Sequence, residues 1–273
     1  VTAQSRPHLH QPTVVKLGGE LLEEPSSLRR LARTLGELSS RESLVVVHGG
    51  GREIDMDLAK HRIPKRSIDG LRITDAETLD IVVSVLAGRV NTRLVSAMAT
   101  AGASAVGLTG ADASLVPVRR DRTYRAANGK KWDLGYVGRP CSIEPPKLLL
   151  NLLEQGYTPV IASIGTGTKG QLYNVNADTL ASHLAVSLRA RRLVITGSTN
   201  GVLDSSGKTI PTLAGASVTR LINDGSATAG MIAKLLACRK ALTDGVGTVA
   251  IINGTNARRG HFERVVRGTV LTQ

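Results

Sequence analysis

Thr13-Val14-Val15-Lys16-Leu17-Gly18-Gly19 is an apolar run closed by two glycines, and Ser43-Leu44-Val45-Val46-Val47-His48-Gly49-Gly50-Gly51 repeats the pattern. Neither run alternates polar with apolar residues. That predicts strands covered by helices on both faces, as in a parallel sheet. In an open parallel sheet, ligands bind beyond the carboxyl ends of the strands, so both glycine loops are expected to face one crevice. Glycine lets the backbone approach a ligand closely, and clustered N–H groups suit phosphate oxygens. Tight turns with no ligand would ask for the same residues. Lys16, just before the first loop, favours anion binding. Neither loop fits GxxxxGK[ST], which excludes a P-loop kinase.

Outward from these strands, helical patterns alternate with short apolar runs. A leucine-rich helix is predicted from about Ser26 to Leu38. Thr74-Asp75-Ala76-Glu77 has capping-box spacing and opens a helical pattern to about Thr100. Further strands are expected at Ser104–Gly107, Thr158–Ala162, Leu193–Thr196, Thr248–Asn253 and near Thr269–Leu271. Helices are expected from Pro145-Pro146 to Gln155, over Asn176–Leu188, and over about Ala214–Ile222 and Gly230–Asp244. The charged stretch Ser114–Val137, with the turn dipeptide Asn128-Gly129, reads as a projecting hairpin, and Asn200–Pro211 reads as a second. The alternation predicts an α/β fold, three layers αβα around a mainly parallel sheet. A boundary after Arg189-Ala190-Arg191-Arg192 divides it into residues 1–190 and 191–273.

Composition narrows the function classes. The 273 residues are 41% hydrophobic and 21% charged, as in a globular protein. No apolar run approaches the roughly 20 residues of a membrane span, and Val1–Pro12 lacks the apolar core of a secretory signal. Cys141 and Cys238 form no CxxC spacing, which argues against a disulfide framework or zinc site and for a reducing cytoplasm. A net charge of +13 raises nucleic-acid binding, but aromatics are only 2% of the chain and stacking platforms need them. The basic residues are spread along the chain, with one cluster at Arg119, Arg120, Arg122, Arg125, Lys130 and Lys131. A solvated surface with some attraction for anionic metabolites is the preferred reading.

Three further positions carry possible chemistry. Asn174-Val175-Asn176-Ala177-Asp178 places short polar residues at a helix start, where Asn176 suits capping and Asp178 a favourable dipole interaction. Lys234, in Gly230-Met231-Ile232-Ala233-Lys234, lies in an otherwise apolar helical stretch. Alone, each has an ordinary structural explanation. Together, KLGG, HGGG, DGLRIT, NVNAD and GMIAK, in this order and spacing, resemble the acetylglutamate kinases of the amino-acid kinase family. The likeness runs through Asp69–Asn91, Ala105–Leu108, Asp133–Gly138 and Gln155–Gly165, and covers about residues 13 to 255.

The resemblance implies transfer of the ATP γ-phosphoryl group to the side-chain carboxylate of N-acetyl-L-glutamate, for arginine biosynthesis, with Mg²⁺ held mainly by the nucleotide phosphates. It assigns Lys16 and Lys234 to the transferring group, Asp178 to orienting both ammonium groups, and the N–H groups of Gly19 and Gly50 to the phosphoryl oxygens. Gly50, Gly51, Arg72 and Asn174 match acceptor-binding positions, with Arg72 and Asn174 on the α-carboxylate. Lys16, Gly18, Gly19, Ser198, Thr199, Asn200, Gly201, Val202, Leu203 and Lys234 match the nucleotide site. An ionised carboxylate is already a nucleophile, so this chemistry requires no general base, only positioning and cancellation of charge repulsion.

The sequence departs from the family pattern in three places. Ser198 stands where an aspartate is expected in the nucleotide loop. The tail Val265-Val266-Arg267-Gly268-Thr269-Val270 lacks the Glu-Gly of arginine-inhibited members, and few residues precede the first strand. Two other readings remain at this level. The basic hairpin would suit a kinase acting on aminoadipate or glutamate carried by an acidic carrier protein. Ser198 would suit a catalytically weakened regulatory relative. Set against the family pattern, the tail and the N-terminus imply a homodimer insensitive to arginine. Millimolar L-arginine is therefore expected to leave activity unchanged in a rate titration, with a dimer in light scattering. Clear inhibition or a hexamer would contradict this reading.

Overall fold

Both decisive runs are strands buried along their whole length: β1 (Thr13–Leu17), followed by helix α1 (Pro25–Ser39), and β2 (Leu44–His48). The computed structural model describes residues 11–126, 129–142, 144–224, 229–255, 257–258, 260–263 and 268–272. Val1–His10, Asn128 of the predicted hairpin turn, and Val265–Arg267 of the tail lie outside the described residues.

The chain continues through α2 (Gly51–Lys60), β3 (Ser67–Ile68), β4 (Leu71–Arg72), α3 (Ala76–Val83), a π-helical segment at Ser84–Val90, α4 (Asn91–Thr100) and β5 (Ala105–Gly110). A projecting ribbon nests β7 (Tyr124–Arg125) and β8 (Lys131–Trp132) inside β6 (Val118–Arg120) and β9 (Gly138–Pro140), all antiparallel, as the charged stretch predicted. Then come α5 (Lys147–Glu154), β10 (Thr158–Thr166), β11 (Leu172–Asn174), α6 (Ala177–Ser187) and β12 (Arg192–Gly197). The chain ends in β13 (Thr212–Ala214), α7 (Gly215–Asn223), α8 (Ala229–Thr243), β14 (Thr248–Asn253) and β15 (Gly268–Thr272).

These strands form a nine-stranded sheet in the order β11-β10-β2-β1-β12-β14-β15-β13, with β5 also beside β10. The pairings β1–β2, β1–β12, β2–β10, β5–β10, β12–β14 and β13–β15 are parallel. Only β10–β11 and β14–β15 are antiparallel within it. Successive strand residues face opposite layers. Val14, Val45, Val47, Leu193 and Ile195 pack with Leu180, Leu184 and Leu235 of α6 and α8. Val15, Leu17, Val46 and Val194 pack with Leu31 and Leu35 of α1 and with Val85, Leu94 and Met98 of the 76–100 helix. Each fully buried aliphatic side chain contributes roughly 1.5–3 kcal/mol, so the two layers lock the central strands in place. The fold is three-layered αβα.

The predicted capping box is corrected in detail. Asp75, not Thr74, caps α3: its Oδ1 accepts the Thr78 N–H at 3.0 Å, while the Thr74 hydroxyl donates to the Arg72 carbonyl at 3.1 Å. An aspartate reaches its own N3 amide, which frees Thr74 to brace the preceding ribbon. The expectation about apolar runs also needs refinement, because Ala76–Thr100 has the length and mean hydropathy, 1.3, of a membrane span. One face of this helix lies in the core, through Val82, Leu86, Val90 and Leu94. Its Arg89 pairs with Asp57 at 2.9 Å, and its Arg93 pairs with Glu53.

His48 ends β2 with its ring buried among apolar strands. The Asn91 amide nitrogen lies 3.0 Å from His48 Nε2 and also donates to the Val160 carbonyl at 2.9 Å. An amide N–H₂ can only donate, so Nε2 accepts, and the ring proton sits on Nδ1, 3.1 Å from the Gly49 carbonyl oxygen. Burial pushes the His48 pKa down to about 4, and burial likewise takes His183 to about 4. Both histidines fold in the neutral form, so the unfolded chain takes up protons first as pH falls. Stability is complete above the unfolded value of 6.5 and declines toward pH 4. Urea titrations are expected to lose on the order of 3 kcal/mol from His48 alone over this window. A flat profile from neutrality to about pH 5 would contradict this.

Candidate active site

The loops that end β1 and β2 lie against each other. A Cβ on Gly19 would stand 2.8 Å from Gly50 Cα and 3.0 Å from the Gly51 nitrogen, so no larger side chain fits there without displacing backbone. Gly50 is the N-cap of α2, and Asn176 caps α6 by accepting the Thr179 N–H at 3.0 Å. Gly49 approaches Ala177 in the first turn of α6. Two helix N-termini thus meet at the carboxyl ends of the central strands, and their unpaired N–H groups favour an anion there.

Lys16, Asp178 and Lys234 come together at this point from β1, α6 and α8. Lys16 Nζ is 2.8 Å from Asp178 Oδ1, and Lys234 Nζ is 3.8 Å from Oδ2. Their side chains are 7%, 6% and 17% exposed, so two positive charges and one negative charge share a mostly dry site. The uncompensated positive charge suits an anionic ligand, since burying unpaired charge is costly. Cys238 is buried on α8 below the cluster, and burial together with Asp178 pushes its thiol pKa up, which leaves it inert.

Arg72 reaches Gly51, and Asn174 is tied to the segment that carries Arg72. Arg72 pairs with Asp55, and its Nη2 donates to the Gly51 carbonyl at 3.1 Å. Burial would raise the Asp55 carboxyl, but hydrogen bonds from Lys65 and Arg72 outweigh it and hold the pKa below the ordinary value. Arg72 Nη1 is buried with no partner. Asn174 Nδ2 donates to the Thr74 hydroxyl at 3.1 Å, which ties β11 to the ribbon that carries Arg72. Backbone bonds from Thr74 to Leu134, Tyr136 to Thr74 and Asn174 to Tyr136 complete this brace.

The nucleotide loop predicted at 198–203 divides into two parts. Ser198, Thr199 and Asn200 are exposed at the carboxyl end of β12. Thr199 donates its hydroxyl to the Gly201 carbonyl at 3.2 Å, and Asn253 donates to Asn200 Oδ1 at 2.8 Å. Among the described residues the Ser198 hydroxyl makes no hydrogen bond. Val202 instead belongs to the core: its N–H donates to Thr269 Oγ1, and its carbonyl accepts from Ile210. Gly201, at φ 79°, makes that turn against Thr269, and Leu203 bridges to Thr209. Gly18 follows β1 and Gly197 ends the paired strand β12, and a Cβ on Gly197 would stand 3.6 Å from Lys234 Cε.

Motif reading missed Thr196. Its buried hydroxyl donates to the Lys16 carbonyl at 2.9 Å and accepts the Gly18 N–H at 3.3 Å, fixing the first glycine loop to β12. A lone threonine at a strand end gives no signal in sequence. Asn91 and Thr74 lay within the resembling stretch, but only the structure shows that they brace His48 and Asn174. A separate cavity of about 770 Å³ lies between the ribbon, α6 and α8, lined in part by Tyr124, His183, Leu236 and Lys240. No sequence motif marked it.

A crevice at the ends of parallel strands, with two glycine loops and two lysines, one buried and one partly exposed, on one carboxylate, defines a site for anionic groups in an α/β enzyme. The chain belongs to the amino acid kinase family, whose model matches residues 11–253. An acetylglutamate kinase of Rhodospirillum centenum is 39% identical over 254 residues, covering 91% of this chain and 83% of that one. An acetylglutamate kinase of Endomicrobium trichonymphae is 36% identical, covering 95% of this chain and 98% of that one. Among solved structures, the smu.665 protein of Streptococcus mutans superposes with a TM-score of 0.79 at 28% identity, covering 95% of this chain and 98% of that one.

Replacing Asp178 by Asn leaves two ammonium groups facing each other without a counter-charge. Asp178→Asn is expected to cost about 3 kcal/mol in urea unfolding, at the low end for breaking a buried pair because Lys234 reaches solvent. Sulfate should restore more stability to the variant than to the wild type, since the freed charges bind an anion. Unchanged stability with no sulfate effect would contradict the geometry.

Proposed function

We propose that this protein transfers the γ-phosphoryl group of ATP to the side-chain carboxylate of N-acetyl-L-glutamate, forming an acyl phosphate for arginine biosynthesis. The observation that carries the proposal is the mostly buried Lys16–Asp178–Lys234 cluster beside the two glycine loops, in a chain whose relatives share the name acetylglutamate kinase. That shared name does not favour the carrier-protein acceptor or a weakened regulatory role.

The acceptor carboxylate and the γ-phosphate repel each other, and the protein's task is to cancel that repulsion while holding the two in line. Lys16 and Lys234 supply charge to the transferring group, and Asp178 fixes the direction of both ammonium groups. The N–H groups of Gly19 and Gly50 point hydrogen bonds at the equatorial oxygens. Arg72 and Asn174 would hold the α-carboxylate beside Gly50 and Gly51. Arg72 Nη1, buried and unpartnered, is the donor that such a carboxylate would satisfy. The nucleotide would lie over Gly18 and along Ser198, Thr199, Asn200, Gly201 and Leu203, with Val202 anchoring the loop from the core.

Among the described residues, no three His, Cys, Asp or Glu side chains gather as a ligand set. A magnesium ion, as the family likeness implies, would be held mainly by the nucleotide's own phosphates, and when bound it would neutralise part of their charge. The proposed division at residues 190 and 191 falls just before β12, which pairs with β1. Arg72 and Asn174 would lie on one side and the 198–203 loop and Lys234 on the other, with Lys16, Gly18 and Gly19 reaching the nucleotide from the first side. The free Cys141 thiol, exposed on the surface, suits a reducing cytoplasm.

Hydroxylamine trapping of the acyl phosphate tests the proposal directly, with N-acetylglutamate, glutamate and aspartate offered together. Hydroxamate from N-acetylglutamate is expected to dominate. Lys16→Ala and Lys234→Ala are each expected to lower turnover by roughly a hundredfold or more, because each removes a charge aimed at the transferring group. No hydroxamate from N-acetylglutamate, or near-normal turnover in a folded lysine variant, would overturn the assignment.

A further inference from the structure

Glu20 follows the first glycine loop, and its carboxylate lies across that loop rather than out in solvent. A Cβ on Gly18 would stand 2.5 to 2.6 Å from all three carboxylate atoms, so the group rests in the space that glycine leaves open. From the neighbouring strand, a Cβ on Gly197 would stand 3.9 Å from Glu20 Oε1 and 3.6 Å from Lys234 Cε. The carboxylate therefore sits between the carboxyl ends of β1 and β12, on the nucleotide side of the lysine cluster. Among the described residues it makes no hydrogen bond or ion pair, and the nearby Lys234 ammonium is directed to Asp178.

A bare carboxylate at the place where phosphates are expected opposes the rest of the site. Lys16, Lys234 and the glycine N–H groups attract a triphosphate, whereas Glu20 repels it across a partly dry crevice. A divalent cation reverses the sign of that contact. Magnesium prefers hard oxygen donors and is typically held by one or two carboxylates together with substrate phosphates, keeping several waters. An unpartnered glutamate oxygen fits that donor set.

We propose that Glu20 makes the phosphate end of the crevice selective for the magnesium complex of the nucleotide over the free polyanion. Its carboxylate supplies one oxygen contact to the ion, directly or through a water of its shell, and excludes the metal-free nucleotide by charge. The inference rests on the nucleotide reading of this site and extends it to a residue that no motif marks.

Calorimetry with a non-hydrolysable ATP analogue, in magnesium and in chelator, tests it without relying on turnover. The wild type should bind the magnesium complex more tightly than the free analogue. Glu20→Gln keeps the shape and removes the charge, and it should tighten binding of the free analogue by roughly tenfold while leaving the complex equal or weaker. Glu20→Ala should shift the ratio in the same direction, which separates charge from any local repacking by glutamine. Equal ratios in wild type and both variants, with the analogue still bound, would overturn the role of Glu20 alone. No binding of the analogue by any of the three proteins, with or without magnesium, would overturn both this inference and the nucleotide reading beneath it.

Discussion

The Asp178 carboxylate holds two ammonium groups at the end of a nearly dry crevice, and much of the surrounding architecture serves that contact. Lys16 arrives on the central strand β1, Asp178 on the first turn of α6, and Lys234 from within α8. Three elements far apart in sequence must pack closely for one carboxylate to reach both amines. The apolar layer between α6, α8 and the sheet supplies that precision, since Leu180, Leu184, Leu235 and Cys238 are all fully buried. The buried Ser182 hydroxyl, donating to the Ala237 carbonyl at 2.9 Å, fixes the register of α6 against α8.

Charge explains why the arrangement is an unfinished one. Two positive groups and one negative group leave the site short of an anion, and two helix N-termini add partial positive charge in the same direction. Beside Gly51, the Arg72 guanidinium is neutralised by Asp55 yet leaves Nη1 unsatisfied. Glu20 is the opposing element, a negative charge set among groups that attract phosphates. Such balanced opposition tunes which form of a ligand is accepted, as a specificity built on repulsion does elsewhere.

Much of this was legible in sequence for identifiable reasons. Short, largely apolar runs such as Val14–Leu17, broken only by Lys16, and Leu44–Val47 point to buried parallel strands, and the glycines that close them fix where the crevice lies. The ribbon at 118–140 was visible because charge and turn residues replace the apolar pattern there. Groups that act through distant contacts were not legible. Thr196, Asn91 and Thr74 are short polar residues whose partners, at Gly18, His48 and Asn174, are brought near only by the fold. The capping-box reading of Thr74 failed because two adjacent residues could each cap, and spacing alone does not choose between them. Glu20 was hidden for a related reason, since nothing in KLGGE shows that the side chain folds back over its own glycine loop.

The most direct test of the central claim is the distance from each lysine to a transition-state mimic. A crystal structure with ADP, tetrafluoroaluminate and N-acetyl-L-glutamate would place a planar anion where the phosphoryl group passes. The account predicts both Lys16 Nζ and Lys234 Nζ at about 3 Å from its fluorine atoms or bridging oxygens, with Asp178 still between them. An anion bound with either ammonium group more than about 5 Å away would contradict it, since a charge at that range makes no directed contact with the transferring group.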